Sequence, residues 1–170
     1  MSFRDTVNRV NDLTLQVTGK LAFIAPLVTR TVIGLAFLQA GTGKFRHFEN
    51  VVGFFQGLGI PFPTFHAGLV ASMETVGGIM LILGLFTRFF ASGLSITMVV
   101  ALLTADSADF LASWGSAAET SPTDVTAFVF LLFLLWLVFF GAGRLSLDAL
   151  LRRILGSEPA AADSLSPDSP

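Results

Sequence analysis

Four apolar runs, residues 21–41, 66–86, 89–105 and 125–143, take up a little under half of this chain, with more polar stretches around and between them. A bilayer core about 30 Å thick needs roughly 20 apolar residues of helix to cross it. Three of the runs meet that length and the run at 89–105 falls a little short. Hydrocarbon offers no hydrogen-bond partner, so a backbone inside it must close its own bonds as a helix or a closed barrel. Barrel strands alternate apolar and polar residues over about ten positions, whereas these runs are continuous. The fold class that follows is all-α: an integral membrane four-helix bundle. Only Thr87 and Arg88 separate the second and third runs, which must therefore form a tight antiparallel hairpin.

Composition narrows the chemistry. With 13% charged residues, against roughly one-quarter in a soluble domain, no separate soluble domain is expected. The absence of cysteine excludes thiolate nucleophiles, disulfide relays, iron–sulfur ligation and covalent c-type haem attachment by this chain. The chain has no phosphate-cradling glycine loop, nucleophile elbow or HExxH motif. It has no basic stripe with interleaved aromatics, so nucleic acid is not an expected partner. His47 and His66 are nineteen positions apart without a companion acidic or cysteine signature, so no metal or haem site is expected.

Three regions are predicted. Residues 1–20 place Phe3, Val7, Val10, Leu13 and Val17 near helical spacing, as an amphipathic segment on the membrane surface. They show no compact apolar region before a cleavage site, so no secretory signal is expected. Residues 21–155 form the membrane domain, and residues 156–170, rich in Pro, Ala, Ser and Asp, a disordered tail. Seven basic residues (Arg4, Arg9, Lys20, Arg88, Arg144, Arg152, Arg153) fall on one side of the bilayer and only Lys44 and Arg46 on the other. By the positive-inside tendency both termini are cytoplasmic. The first outer loop, residues 42–65, is crowded with Phe45, Phe48, Val52, Phe54 and Phe55 and reads as an interfacial helix that lids the bundle, broken by Gly57, Gly59, Pro61 and Pro63. The third loop, residues 106–124, is acidic, with Trp114 as an interfacial anchor. After the fourth run, Ser146 is placed to cap a second amphipathic helix carrying Arg152 and Arg153. The fourth run itself has almost nothing polar and is expected to face lipid or a partner subunit.

Charge inside the runs is the sharpest signal. Arg30 lies within the first and Glu74 within the second, and an intramembrane ion is a functional-site hypothesis by default. Helical rise puts Arg30 about 13 Å from the inner end of its run and Glu74 about 12 Å from the outer end of its own, so their depths differ by about 5 Å. An ion pair is then within reach of two long side chains. It can be read as a salt bridge that pins two helices, or as a polar pocket for a headgroup, with Gln39, Lys44 and His66 as further ligand-binding residues. Gly34 and Gly41 on one helix, and Gly77 and Gly78 on the other, let the helices approach closely around the charges. Lys44 can turn outward or inward toward Glu74.

Several motifs occur in a distinctive order: Arg30, Gly43-Lys44-Phe45, Leu58-Gly59-Ile60-Pro61, Glu74 with Gly77-Gly78, Gly84-Leu85-Phe86-Thr87-Arg88, and Gly141-Ala142-Gly143-Arg144-Leu145-Ser146-Leu147-Asp148. Together they resemble the DoxX family over roughly residues 21–155. The resemblance implies a four-helix protein of the bacterial cytoplasmic (inner) membrane, similar to small subunits linked to quinone-dependent oxidoreductases.

The leading functional expectation is therefore a membrane subunit of a quinone-linked oxidoreductase system. Arg30 and Glu74 are its catalytic residues, and Gln39, Lys44, Gly77, Gly78 and His66 its ligand-binding set. Arg30 would hydrogen-bond a quinone carbonyl and Glu74 would exchange the accompanying proton. No metal, haem or covalent cofactor is expected, and the electrons would come through a redox partner subunit. A homo-oligomer is a further expectation. The competing reading is a non-enzymatic anchor, assembly factor or chaperone for a redox or secreted partner. Solute transport is weaker, because no internal repeat of the transporter type appears.

Overall fold

The first apolar run and the polar step after it form one unbroken helix, α1 (Ile24–Arg46). The helix runs past Gly41 because Thr42 turns its hydroxyl back to the Leu38 carbonyl at 2.7 Å, a local bond that keeps a polar residue compatible with helix in an apolar setting. The computed structural model describes residues 4, 8, 23–115, 121–143, 145–154 and 156. After α1 come α2 (Phe48–Gly57), α3 (Pro63–Leu83), α4 (Thr87–Leu103), α5 (Ser107–Ala112), a 3-10 turn (Pro122–Asp124), α6 (Thr126–Phe140) and α7 (Leu147–Ile154). There is no strand among the described residues. The expected amphipathic segment at 1–20 and tail at 156–170 lie outside the described residues, apart from Arg4, Asn8 and Gly156.

The all-α membrane bundle is what the apolar runs imply. Helices α1 and α3, of 23 and 21 residues, are long enough to cross a bilayer. Helices α4 and α6, of 17 and 15 residues, rise only roughly 22–26 Å, a mismatch that local thinning or flanking residues can absorb. Helix α2 is the interfacial helix foreseen in the first loop. It packs on α3 through Val52, and Pro63 starts α3 in its first turn, where a missing N–H costs nothing.

The bundle is built as two helix pairs. The most extensive interface is α1 against α3, the next is α4 against α6, and the α3–α4 hairpin contact is smaller. The fourth run, expected to face lipid or a partner subunit, also buries one side inside the bundle. Leu134 and Leu137 of α6 are fully buried, with Ala127 nearly so, in a core shared with Leu94, Met98 and Leu102 of α4. An all-apolar helix shows no periodicity to betray its buried side, so composition could not find it. Phe133, Phe139 and Phe140 on its other side remain exposed.

Backbone contact sets the register of α1 on α3. A Cβ on Gly34 would lie 2.8 Å from the Gly78 carbonyl oxygen, and one on Gly78 would lie 2.6 Å from both the Gly34 carbonyl oxygen and the Leu38 amide nitrogen. Seven residues further along α1, a Cβ on Gly41 would lie 2.6 Å from the Thr75 amide nitrogen and 2.9 Å from the Ala71 carbonyl oxygen. Small residues at matching intervals let the two backbones touch. Gly78→Val should therefore force the helices apart and lower stability by at least the 1–3 kcal/mol typical of overpacking. Thermal unfolding in detergent micelles, with Gly43→Val as the control at an open position, measures the difference.

Candidate functional site

The Arg30–Glu74 pair expected from the sequence does not form. With Gly34 against Gly78 and Gly41 against Ala71, Glu74 is level with the stretch around Leu38 to Ala40, roughly 12–15 Å along the axis from Arg30. That register is about two turns away from the one obtained by aligning the ends of the apolar runs. Direction separates the pair further. Side chains lean toward the N-terminus of their helix, so on antiparallel α1 and α3 Arg30 leans toward the end where α1 begins, while Glu74 leans toward the end lidded by α2. Each finds its own partner.

The same geometry brings Lys44 and Glu74 together. Lys44, near the C-terminus of α1, leans back into the bundle, and its Nζ donates to Glu74 Oε2 at 2.5 Å. The Glu74 side chain is 3% exposed and that of Lys44 28%, so the carboxylate is enclosed while the ammonium keeps one edge open. No other salt bridge occurs among the described residues. A close charge-assisted bond of this kind compensates the desolvation of both groups only while both are present.

Arg30 belongs to a separate cluster at the opposite end. Its Nη1 donates to the Ala142 carbonyl at 3.0 Å and its Nη2 donates to the Leu145 carbonyl. Its Nε is buried without a partner. The Gly141-Ala142-Gly143 step turns the chain back after α6, with Gly141 and Gly143 at φ 75° and 78°. Ser146 then caps α7, its hydroxyl accepting from the Ala149 amide at 3.1 Å, as expected from the sequence. Asp148 reaches across to the α3–α4 hairpin: its carboxylate accepts from the Phe86 amide at 2.8 Å and the Thr87 amide at 3.1 Å. It thereby satisfies free amides at the start of α4 and holds Phe86 in its left-handed conformation at φ 48°. The Asp148 amide in turn donates to the Gly84 carbonyl at 3.0 Å. Arg88 donates to the Phe139 carbonyl at 3.1 Å, among the unpaired carbonyls that end α6.

The remaining candidates divide between packing and surface. Gly78 lies against the α1 backbone and Gly77 against the Leu94 side chain, where a Cβ would sit 3.0–3.3 Å from its carbons. Both serve helix contact. Gln39 is exposed on α1. His66, in the first turn of α3, has Nδ1 3.2 Å from the Phe62 carbonyl and its ring edge-on to Phe65. Of the expected ligand-binding set, only Lys44 is joined to Glu74. Ser146 was expected as a cap, whereas Asp148 and Gly84 stand out in the sequence only within longer motifs. Their signal was a glycine-rich step after an apolar helix, followed by a cap residue and an aspartate.

A helical membrane bundle with one enclosed ion pair near its lidded end, and an arginine-stapled turn at the other, defines the class of protein. Comparison with known proteins makes the class specific: the chain belongs to the DoxX family, whose family model matches residues 25–107. It is 38% identical over 128 residues to the uncharacterized membrane protein Rv3486 of Mycobacterium tuberculosis, covering 70% of this chain and 76% of that protein. It is 32% identical over 81 residues to a Bacillus subtilis protein named "Putative oxidoreductase CatD", covering 48% of this chain and 59% of CatD, under two-thirds of that relative. No solved structure gives a significant match.

Proposed function

We propose that this chain is a small membrane subunit of a quinone-linked redox system, with the quinone headgroup bound at the Lys44–Glu74 pair rather than between Arg30 and Glu74. The observation that carries this reading is an ion pair between α1 and α3 whose carboxylate is enclosed and whose ammonium stays partly open. Lys44 donates a hydrogen bond to a quinone carbonyl, and Glu74 passes the protons that accompany reduction to quinol. The two electrons come from a partner subunit that carries the redox cofactor. The oxidoreductase name of CatD supports a redox setting. In this reading the α7 end, with Arg88, Arg152 and Arg153, faces the cytoplasm of a bacterial inner membrane.

The test uses the purified chain and a short-chain quinone in equilibrium dialysis. The wild-type chain should bind it, and the paired variant Lys44→Met with Glu74→Leu, which keeps the volume and removes the charges, should lose at least tenfold in affinity. A wild-type chain that binds no quinone, or a paired variant that binds it equally well, overturns the assignment. The second reading, a non-enzymatic anchor or assembly factor, is favoured by the exposure of Phe54, Phe62 and Phe65 at the lidded end. It gains if the paired variant still recovers a redox partner in full from cells.

A further inference from the structure

At the end of the bundle away from α2, the strap made by residues 145–148 and α7 leaves an open cleft of about 370 Å³ against α1 and α3. Among the described residues two cations line it. Arg30 comes from α1 and Arg153 from α7, Ser146 adds a hydroxyl to the lining, and Leu83, Leu147 and Leu150 supply apolar walls. Arg30 is 4% exposed and makes no salt bridge among the described residues. Two of its nitrogens are spent on backbone carbonyls, its Nε has no partner, and neither carbonyl carries a compensating charge. Among the described residues Asp148 is the carboxylate whose charge reaches Arg30, but it acts through space, makes no salt bridge with it, and turns its oxygens to the Phe86 and Thr87 amides. A buried guanidinium in such a setting is stabilised by an external anion.

We infer that this cleft is a binding site for the phosphate headgroup of an anionic phospholipid, with Arg30 and Arg153 facing the phosphate and the leucines against the start of an acyl chain. An amphipathic occupant is required by the lining itself. Two arginines alone would suit a free phosphate ion, but the leucine walls match hydrocarbon and gain nothing from an inorganic anion. The placement agrees. Helix α7 carries Arg152 and Arg153 in its last turn and exposes Leu150, Leu151 and Ile154, the pattern of a helix lying in the headgroup plane. Basic residues at that level attract anionic lipid. The bound lipid would brace the strap from the side that Arg30 leaves open.

Thermal unfolding of the delipidated full chain in a neutral detergent, titrated with phosphatidylglycerol, phosphatidylcholine or inorganic phosphate, tests the inference. Phosphatidylglycerol should raise the midpoint saturably, with no comparable rise from the other two. Arg153→Gln should weaken its half-saturation by roughly fivefold to tenfold, and Ala149→Phe, which fills the cleft, should abolish the rise. The midpoint without lipid shows that each variant is folded. Equal stabilisation by phosphatidylcholine would mean an apolar effect of any lipid and overturns the site. An equal rise from inorganic phosphate would identify the occupant as a free anion and overturns the lipid. An undiminished response in both variants overturns the location.

Discussion

Glu74→Leu should destabilise the protein by about 3–5 kcal/mol, the cost of leaving one member of a buried ion pair without the other. The stranded group is Lys44, held within the bundle at a level where a polar partner is scarce. Its partial exposure lets the ammonium turn outward, which should bring the loss toward the lower end of that range. Lys44→Met should cost more than Glu74→Leu, because the carboxylate it strands is 3% exposed and cannot reach water by turning outward as the ammonium can. Changing both residues should recover most of the stability, since an apolar pair of similar volume is often as stable as the ions it replaces. A double-mutant cycle of unfolding midpoints in detergent should therefore show a coupling larger than either residual loss. Additive losses would mean that the two groups do not depend on each other. Recovery of stability without recovery of quinone binding separates what the pair does for the fold from what it does for a ligand.

Arg30→Met should loosen the opposite end of the bundle by several kcal/mol. It removes the donors to the Ala142 and Leu145 carbonyls, and an acceptor left unsatisfied in a buried setting costs about 1–3 kcal/mol. Arg30→Lys should not rescue it, because one ammonium cannot reproduce the planar fork that spans two carbonyls from one side chain. Gly84→Ala should reach the same outcome from the other side. Its φ of 68° disfavours any side chain, and the added Cβ would run into the Arg30 guanidinium and lie 2.8 Å from the Ser146 Cβ. The readout is specific because the chain has no cysteine. A single Ala149→Cys on α7 should be labelled by a water-soluble maleimide faster in the Arg30→Met and Gly84→Ala backgrounds than in the Ala149→Cys parent. Unchanged labelling with a lowered midpoint would show that Arg30 supports the bundle without holding the strap.

Much of the architecture was legible from residue order. The apolar runs correspond to α1, α3, α4 and α6 within a few residues, the crowded first loop to α2, and Ser146 to the cap of α7. These features depend on local or one-dimensional properties: the length of an apolar run, the break at Pro63, the oxygen of a cap residue. The two intramembrane charges were legible as unusual, but their pairing was not. Aligning the run ends put Arg30 beside Glu74, whereas the contacts of Gly34, Gly41, Ala71 and Gly78 move α3 along α1 by about two turns. One part of the error was open to correction from sequence. On antiparallel helices side chains at these positions lean apart, and the same rule turns Lys44 toward Glu74.

The sequence by itself determined that this chain is a helical membrane protein, that its first two long helices carry charge, and that small residues line the faces on which they meet. Hydrocarbon enforces those conclusions position by position, since each apolar run and each buried ion must be accommodated wherever it stands. Which ions share a bond, and which helix hides one face of α6, was decided by the tertiary structure. Those outcomes follow from axial register and close backbone packing, and a shift of two turns exchanges every partner across an interface while leaving the pattern of each helix unchanged.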